Sequence, residues 1–232
     1  MPRFVVPEND SRPLFRVAVG VLARAPSAGG KTRLAADVSP QRLADLRIAL
    51  LADAIDLVGR TPGIDPFLFC APADDAAVAD VASLAGPGLP ILAQRGGDLG
   101  ARMCSATADL LGRGYDAAIL IGTDNPLLTS QHIIEARDLL QHDTIVLGPA
   151  DDGGYYLIGM RRVQPELFVD VAWGTDSVLT DTLRIADRIG AEARLIRSGY
   201  DIDTIADLRR LEGDLRTASL ETGVHVRRWF SG

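Results

Sequence analysis

Several short blocks of this sequence carry residue types suited to work on phosphates. Residues 23–34 read "ARAPSAGGKTRL". Gly29 and Gly30 let the backbone approach an anion, its N–H groups can line up on a phosphate, and Lys31 and Arg33 add positive charge. Arg24 heads the same loop, where an apolar run ends. As a P-loop the segment falls short. Alanine replaces the first glycine, Pro26 stiffens the turn, and Pro40 follows Lys31 too soon for the long helix that a P-loop lysine opens. The expectation is a phosphate-binding loop of another geometry, with Arg24, Gly30, Lys31 and Arg33 as its candidate contacts.

Residues 119–128, "ILIGTDNPLL", run up to a lone carboxylate. Asn125 and Pro126 are turn residues, so Asp124 could simply shape a turn. It could equally hold a hard cation, because magnesium takes one or two carboxylates and completes its shell with water and substrate phosphates. Mg2+ or Mn2+ on Asp124 is the expectation. Residues 199–208, "GYDIDTIADL", offer a second carboxylate. Asp201 and Asp203 are two apart and share one side of an extended segment. Asp203 also precedes a helical pattern and could cap it.

Two further blocks lie at strand ends. In "LGPADDGGYYLIGM" (147–160) two aspartates and two glycines turn the chain. Asp-Gly alone suggests a hairpin. At the ligand end of a sheet, Asp152, Gly153, Gly154 and Tyr155 would instead present a surface to a sugar or acceptor. In "QRGGDLGARM" (94–103) Gln94, Gly96, Gly97 and Gly100 would admit a base or ribose, and Arg102 a phosphate. His132, His142 and His225 form no recognisable triad. Neither a Gly-x-Ser-x-Gly elbow nor a Gly-x-Gly-x-x-Gly fingerprint occurs. A mechanism without a protein nucleophile is expected.

These blocks must be positioned by the elements between them. Strands are expected at 15–24, 66–71, 89–94, 116–122, 144–147, 155–160 and 193–197. Helices are expected at 40–59, 74–85, 99–111, 130–141, 176–190 and 204–215. Apolar strands alternating with amphipathic helices predict an α/β fold, a mostly parallel sheet covered on both faces. In such sheets ligands bind outside the carboxyl ends of the strands. That singles out the loops after Arg24, Gly122 and Leu147 as candidate ligand contacts. A leader is expected over 1–13, one domain over 14–216, and a C-terminal tail over 217–232.

Composition narrows the class. Of 232 residues, 47% are hydrophobic and 24% charged, as in an ordinary globular protein. The net charge of −7 calls for no nucleic-acid partner. No apolar run reaches transmembrane length, and residues 1–13 lack the apolar centre of a signal peptide. Cys70 and Cys104 lack metal-ligand spacing and are read as reduced thiols of a cytoplasmic protein.

Taken in order, "GGKTRL", "GDLGARM", "IGTDNPLL", "LGPADDGGYYLIGM" with "WGTDSVL", and "DIDTIADL" resemble a bacterial family of GT-A-type, glycosyltransferase-like proteins. That family is related to phospholactate guanylyltransferases and, more distantly, to molybdenum-cofactor guanylyltransferases. The resemblance spans roughly residues 17–210. It implies a single-domain, three-layer α/β/α Rossmann-like fold of the nucleotide-diphospho-sugar transferase type. It also implies nucleotide phosphates over Lys31 and Arg33, a divalent metal on Asp124 and Asp203, and an acceptor or sugar subsite at the "DDGGYY" turn. The chain departs from the family in lacking a Pro-Gly ahead of the lysine, in "WGT" for "WST", and in Asn125, where a small residue or cysteine is usual. The implied reaction is transfer from a nucleotide-sugar to a small acceptor, with nucleotidyl transfer to a phosphorylated molecule as the alternative and a non-catalytic nucleotide sensor as a minor one. Lys31 and Asp124 are the residues expected to carry it.

Overall fold

The computed structural model describes residues 15–142 and 145–232. The expected leader and the expected strand start at Thr144 lie outside the described residues. Among the described residues, seven strands form one sheet: β1 (Val17–Arg24), β2 (Asp65–Ala71), β3 (Ile91–Ala93), β4 (Ala117–Ile121), β5 (Ile145–Pro149), β6 (Tyr155–Met160) and β7 (Ala193–Leu195). Their order is β3-β2-β1-β4-β6-β5-β7. β6 runs antiparallel to both neighbours, and the other pairs are parallel. The turn after Pro149 is therefore a hairpin into β6, and that hairpin introduces the reversed strand.

Helices α1 (Pro40–Arg60), α2 (Asp75–Ala85), α3 (Leu99–Gly112), α4 (Ser130–Leu139), α5 (Val178–Arg188), α6 (Ile205–Leu215) and α7 (Val224–Ser231) complete the fold. The central strands β1 and β4 bury both faces. Along β1, Val17, Val19 and Val21 enter one core layer and Ala18 the other, the period of two that strand geometry requires. Thr129 is the residue at the head of α4. α5 begins after Ser177, so Trp173 and Thr175 belong to a loop ahead of the helix.

A third cluster lies beyond the sheet and matters most for the site. Leu34, from the loop after Lys31, packs with Leu46, Ile202, Leu208 and Leu211, all nearly or fully buried. It clamps the Lys31 loop to the segment carrying Asp201 and Asp203. Burying such side chains contributes about 1.5–3 kcal/mol each.

Residues 217–232, expected as a tail, instead carry α7, which docks on α1. The Trp229 indole donates to the Arg42 carbonyl at 2.7 Å, and the Arg42 guanidinium stacks over the ring. Asp53 of α1 accepts the N–H groups of His225 and Val226 at 2.8 and 3.1 Å. This carboxylate meets the first amides of α7, which would otherwise lack partners.

Candidate active site

β1 and β4 lie side by side at the point where the strand order reverses, so their carboxyl ends open a crevice. A cavity of about 740 Å3 occupies it. Arg24, Gly30, Lys31, Asp124, Asp201 and Asp203 are among the residues on its walls.

The loop after β1 turns through three successive residues of positive φ: Gly29 (78°), Gly30 (118°) and Lys31 (58°). Lys31 is left-handed without being glycine, an uncommon and costly backbone state. Arg47 of α1 steadies the loop by donating to the Pro26 carbonyl at 3.0 Å and the Gly30 carbonyl at 3.5 Å. Among the described residues, the N–H groups of Gly30, Lys31 and Thr32 donate to none. They form a short run of donors at the cavity edge, the feature that suits an anion.

The Lys31 side chain is only 7% exposed. Its ammonium lies 2.9 Å from Asp124 Oδ1 and 3.1 Å from Asp203 Oδ1. Burial alone would pull its pKa down. Asp124 and then Asp203 outweigh that, and the pKa stands above its ordinary value. Asp201 is pushed up to about 7, chiefly by burial and then by the Asp124 charge. Ile202 is fully buried between the two aspartates, so both carboxylates face the cavity. A backbone bond from Ile202 N–H to the Asp124 carbonyl, 3.0 Å, ties the two acidic segments together. Thr204, not Asp203, caps α6, which leaves the Asp203 carboxylate to the site.

Asn125 accepts the Leu127 N–H through Oδ1 at 3.2 Å, and its carbonyl accepts Leu128 N–H. It holds the turn that presents Asp124.

The donor set suits a hard divalent cation: carboxylate oxygens from Asp124 and Asp203, with Asp201 on the same wall. Among the described residues no three His, Cys, Asp or Glu side chains form a ready cage. The Lys31 ammonium stands between the two leading carboxylates instead. Magnesium and manganese tolerate such an incomplete site, since phosphates and water supply their remaining ligands.

Other expected contacts fall elsewhere. The Gln94 amide donates to the carbonyls of Ala23 and Phe69 at 3.0 and 2.8 Å, tying strand ends together away from the cavity lining. Arg102 donates to the Gly96 carbonyl at 3.3 Å. Gly100 is buried, and a Cβ there would lie 2.5 Å from Trp173 Nε1, so it admits the indole rather than a base or ribose. From that block Leu99 and Met103 line the cavity instead. Gly153 adopts φ +87°, and a Cβ would fall 2.1 Å from the Asp176 carbonyl oxygen, so Gly153 itself packs against that loop rather than under a ligand. Asp152 accepts the Gly154 N–H at 3.0 Å. Asp152, Gly154, Tyr155 and Arg33 line a second cavity beside the first. Arg47 is not marked in the sequence, because an arginine inside a helix carries no motif, while Met103 and Trp173 fall inside the blocks "GDLGARM" and "WGTDSVL" with no role assigned to them there.

A family model described as "Uncharacterized protein conserved in bacteria (DUF2064)" matches residues 54–175. Among solved structures the chain is similar to a candidate nucleotide-diphospho-sugar transferase from Desulfovibrio desulfuricans G20, at 29% identity and a TM-score of 0.85, covering 91% of this chain and 94% of that one. The two share the nucleotide-diphospho-sugar transferase fold. A 4-diphosphocytidyl-2C-methyl-D-erythritol synthase from Anaerococcus prevotii DSM 20548 matches at 11% identity and a TM-score of 0.59, over 87% of this chain and 96% of that one. Rv0371c from Mycobacterium tuberculosis H37Rv, in complex with manganese, matches at 18% identity and a TM-score of 0.54, over 84% and 97%. At such identities these two speak for the fold alone. No curated protein matches the chain.

Proposed function

The chain belongs to the DUF2064 family of bacterial proteins, and on that footing we propose that it is a nucleotide-dependent transferase that moves a sugar from a nucleotide-sugar to a small acceptor. The observation that carries this reading is the arrangement of Lys31, Asp124 and Asp203 on one wall of a cavity at the switch point of the sheet. Lys31 and the free N–H groups of Gly30, Lys31 and Thr32 would bind and orient the donor's phosphates. Asp124 and Asp203, with Asp201 beside them, would hold Mg2+ or Mn2+. Such a metal, when bound, neutralises the leaving phosphates and templates their geometry. Fixed cations and dipoles aimed at developing charge stabilise the departing diphosphate without costly reorganisation. Arg47 would act through the loop it braces. No side chain need attack the substrate, which agrees with the lack of a Ser, Cys or His constellation in the sequence. Residues 14–216 and α7 are read as one catalytic unit.

Nucleotidyl transfer is the second reading, and Asn125 favours it. GT-A glycosyltransferases commonly place two carboxylates at the metal strand, whereas here Asn125 is spent on a turn.

The test is a thermal-shift panel of nucleoside triphosphates and nucleotide-sugars with Mg2+ or Mn2+. Product analysis on whichever substrates bind then separates the reactions. Nucleoside diphosphate release supports glycosyl transfer, and pyrophosphate release supports nucleotidyl transfer. A metal-dependent shift unchanged by Asp124→Asn would overturn the site assignment.

A further inference from the structure

The cavity beside the nucleotide site measures about 350 Å3. Leu99, Met103, Tyr155, Asp201 and Asp203 line both cavities, so a ligand in one abuts a ligand in the other. The volume sits at the small end of the range for small-molecule sites, about 300–1,000 Å3.

One wall is apolar. Trp173 stands edge-on to Tyr155, with centroids 6.4 Å apart and planes at 85°. α3 approaches Trp173 as closely as glycine permits, through Gly100, which fixes where the indole sits. Tyr155 contributes its ring and not its hydroxyl. That hydroxyl is buried beside Thr182, whose own hydroxyl is given to the Val178 carbonyl, so it is not offered to a ligand. Leu99 and Met103 extend the apolar surface toward the nucleotide cavity.

The other wall is acidic. Asp152, Asp176 and Asp203 line it, and Arg33 is the one cation among the described lining residues. The Arg33 guanidinium is 71% exposed and lies 3.7 Å from Asp203, so its charge is already shared. Asp203 is already paired with Lys31 and Arg33, which leaves Asp152 and Asp176 facing that one shared guanidinium. A phosphate or carboxylate placed here would meet like charge, and like-charge juxtaposition excludes wrong partners.

We infer that this cavity takes an acceptor with a flat apolar body and an uncharged hydroxyl or a cationic ammonium group, and that it turns anionic acceptors away. That the ligand is an acceptor rests on the transferase reading above, while its chemistry rests on the cavity itself. Such a cavity disfavours a phosphorylated acceptor, and so nucleotidyl transfer of that kind.

Three probes with one ring and different charge test it: 2-phenylethanol, phenethylamine and phenyl phosphate, with binding to the full chain followed by ligand-observed NMR. The alcohol and the amine are expected to bind at least about tenfold tighter than the phosphate. Trp173→Ala should weaken both by about tenfold, while Trp173→Phe, which keeps an aromatic ring, stays within about threefold. Asp176→Asn, an exposed change, should narrow the preference against phenyl phosphate. Phenyl phosphate binding as tightly as the others, or no binding by any of the three, overturns the inference. Nucleotide and metal shifts are measured on the same samples. If those are absent while the ring probes bind, the transferase reading fails and the inferred chemistry of the cavity's ligand stands.

Discussion

Replacing Lys31 with methionine tests the centre of the site, because two quantities should move in opposite directions. The ammonium of Lys31 is buried, while the Asp124 and Asp203 side chains it pairs with are 42% and 41% exposed. Breaking a fully buried pair costs about 3–5 kcal/mol, and a fully exposed pair contributes about 0–1 kcal/mol. This triad lies between those limits, so Lys31→Met should cost about 2 kcal/mol in the absence of metal. For a chain of this size each kcal/mol moves Tm by about 2–4 °C, which gives a drop of roughly 4–8 °C. A double-mutant cycle with Asp124→Asn isolates the pair and should return a coupling of about 1 kcal/mol. The same substitution removes the cation that competes for Asp124 and Asp203, so Mn2+ should raise the Tm of Lys31→Met more than that of the parent. Urea denaturation followed by far-UV circular dichroism in a chelator measures the first effect. A thermal-shift titration with Mn2+ measures the second. A coupling within about 0.3 kcal/mol of zero, the scatter expected of independent sites, would refute the claim that Lys31 holds the two carboxylates together. Equal Mn2+ shifts in both proteins would refute the claim that it occupies the metal's place.

Three further outcomes follow from the packing around the site. His132 accepts the Thr129 N–H through Nδ1 at 3.2 Å, and burial, then Arg197, hold its pKa below the ordinary 6.5. A depressed histidine contributes stability that is fully present above the unfolded-state value, and that stability is lost as pH falls from about 6.5 toward the lowered folded-state value. His132→Gln, which keeps a capping-box acceptor, should flatten the Tm profile between about pH 7 and 5, and superposed profiles would contradict this. Asp53→Ala should cost about 1–3 kcal/mol by orphaning the N–H groups of His225 and Val226. Limited proteolysis should then cut ahead of α7 in the variant first, and equal cleavage rates would count against the docked helix. Gly153→Ala forces a left-handed alanine against the Asp176 carbonyl and should cost at least about 2 kcal/mol, read by urea denaturation. It should also weaken the ring probes, since the Trp173–Asp176 loop must shift. An unchanged denaturation midpoint would mean that the turn is not packed as described.

Much of this protein is written in local pattern. The alternation of apolar strands and amphipathic helices specifies the layered sheet, and the run 155–160 coincides with β6 residue for residue. Asp124 stands out as the lone carboxylate that ends a continuous apolar run, and Asp201 and Asp203 as two carboxylates a period of two apart astride Ile202. The glycines after β1 announce a loop of unusual backbone for the same local reason. Long-range packing decided the rest. Gln94, Gly100 and Arg102 look like ligand contacts in the sequence, but each satisfies a carbonyl or an indole elsewhere in the fold. Arg47 braces the loop after β1 from mid-helix, where no motif marks it. Residues 224–231 read as a tail because their apolar positions find their partner on α1, far away in the chain. Above all, Lys31 meets Asp124 and Asp203 only because Leu34 and Ile202 bury in one cluster. Residue type and spacing state what chemistry a side chain can do. Which partner it meets depends on contacts between distant segments, and only the folded chain brings those together.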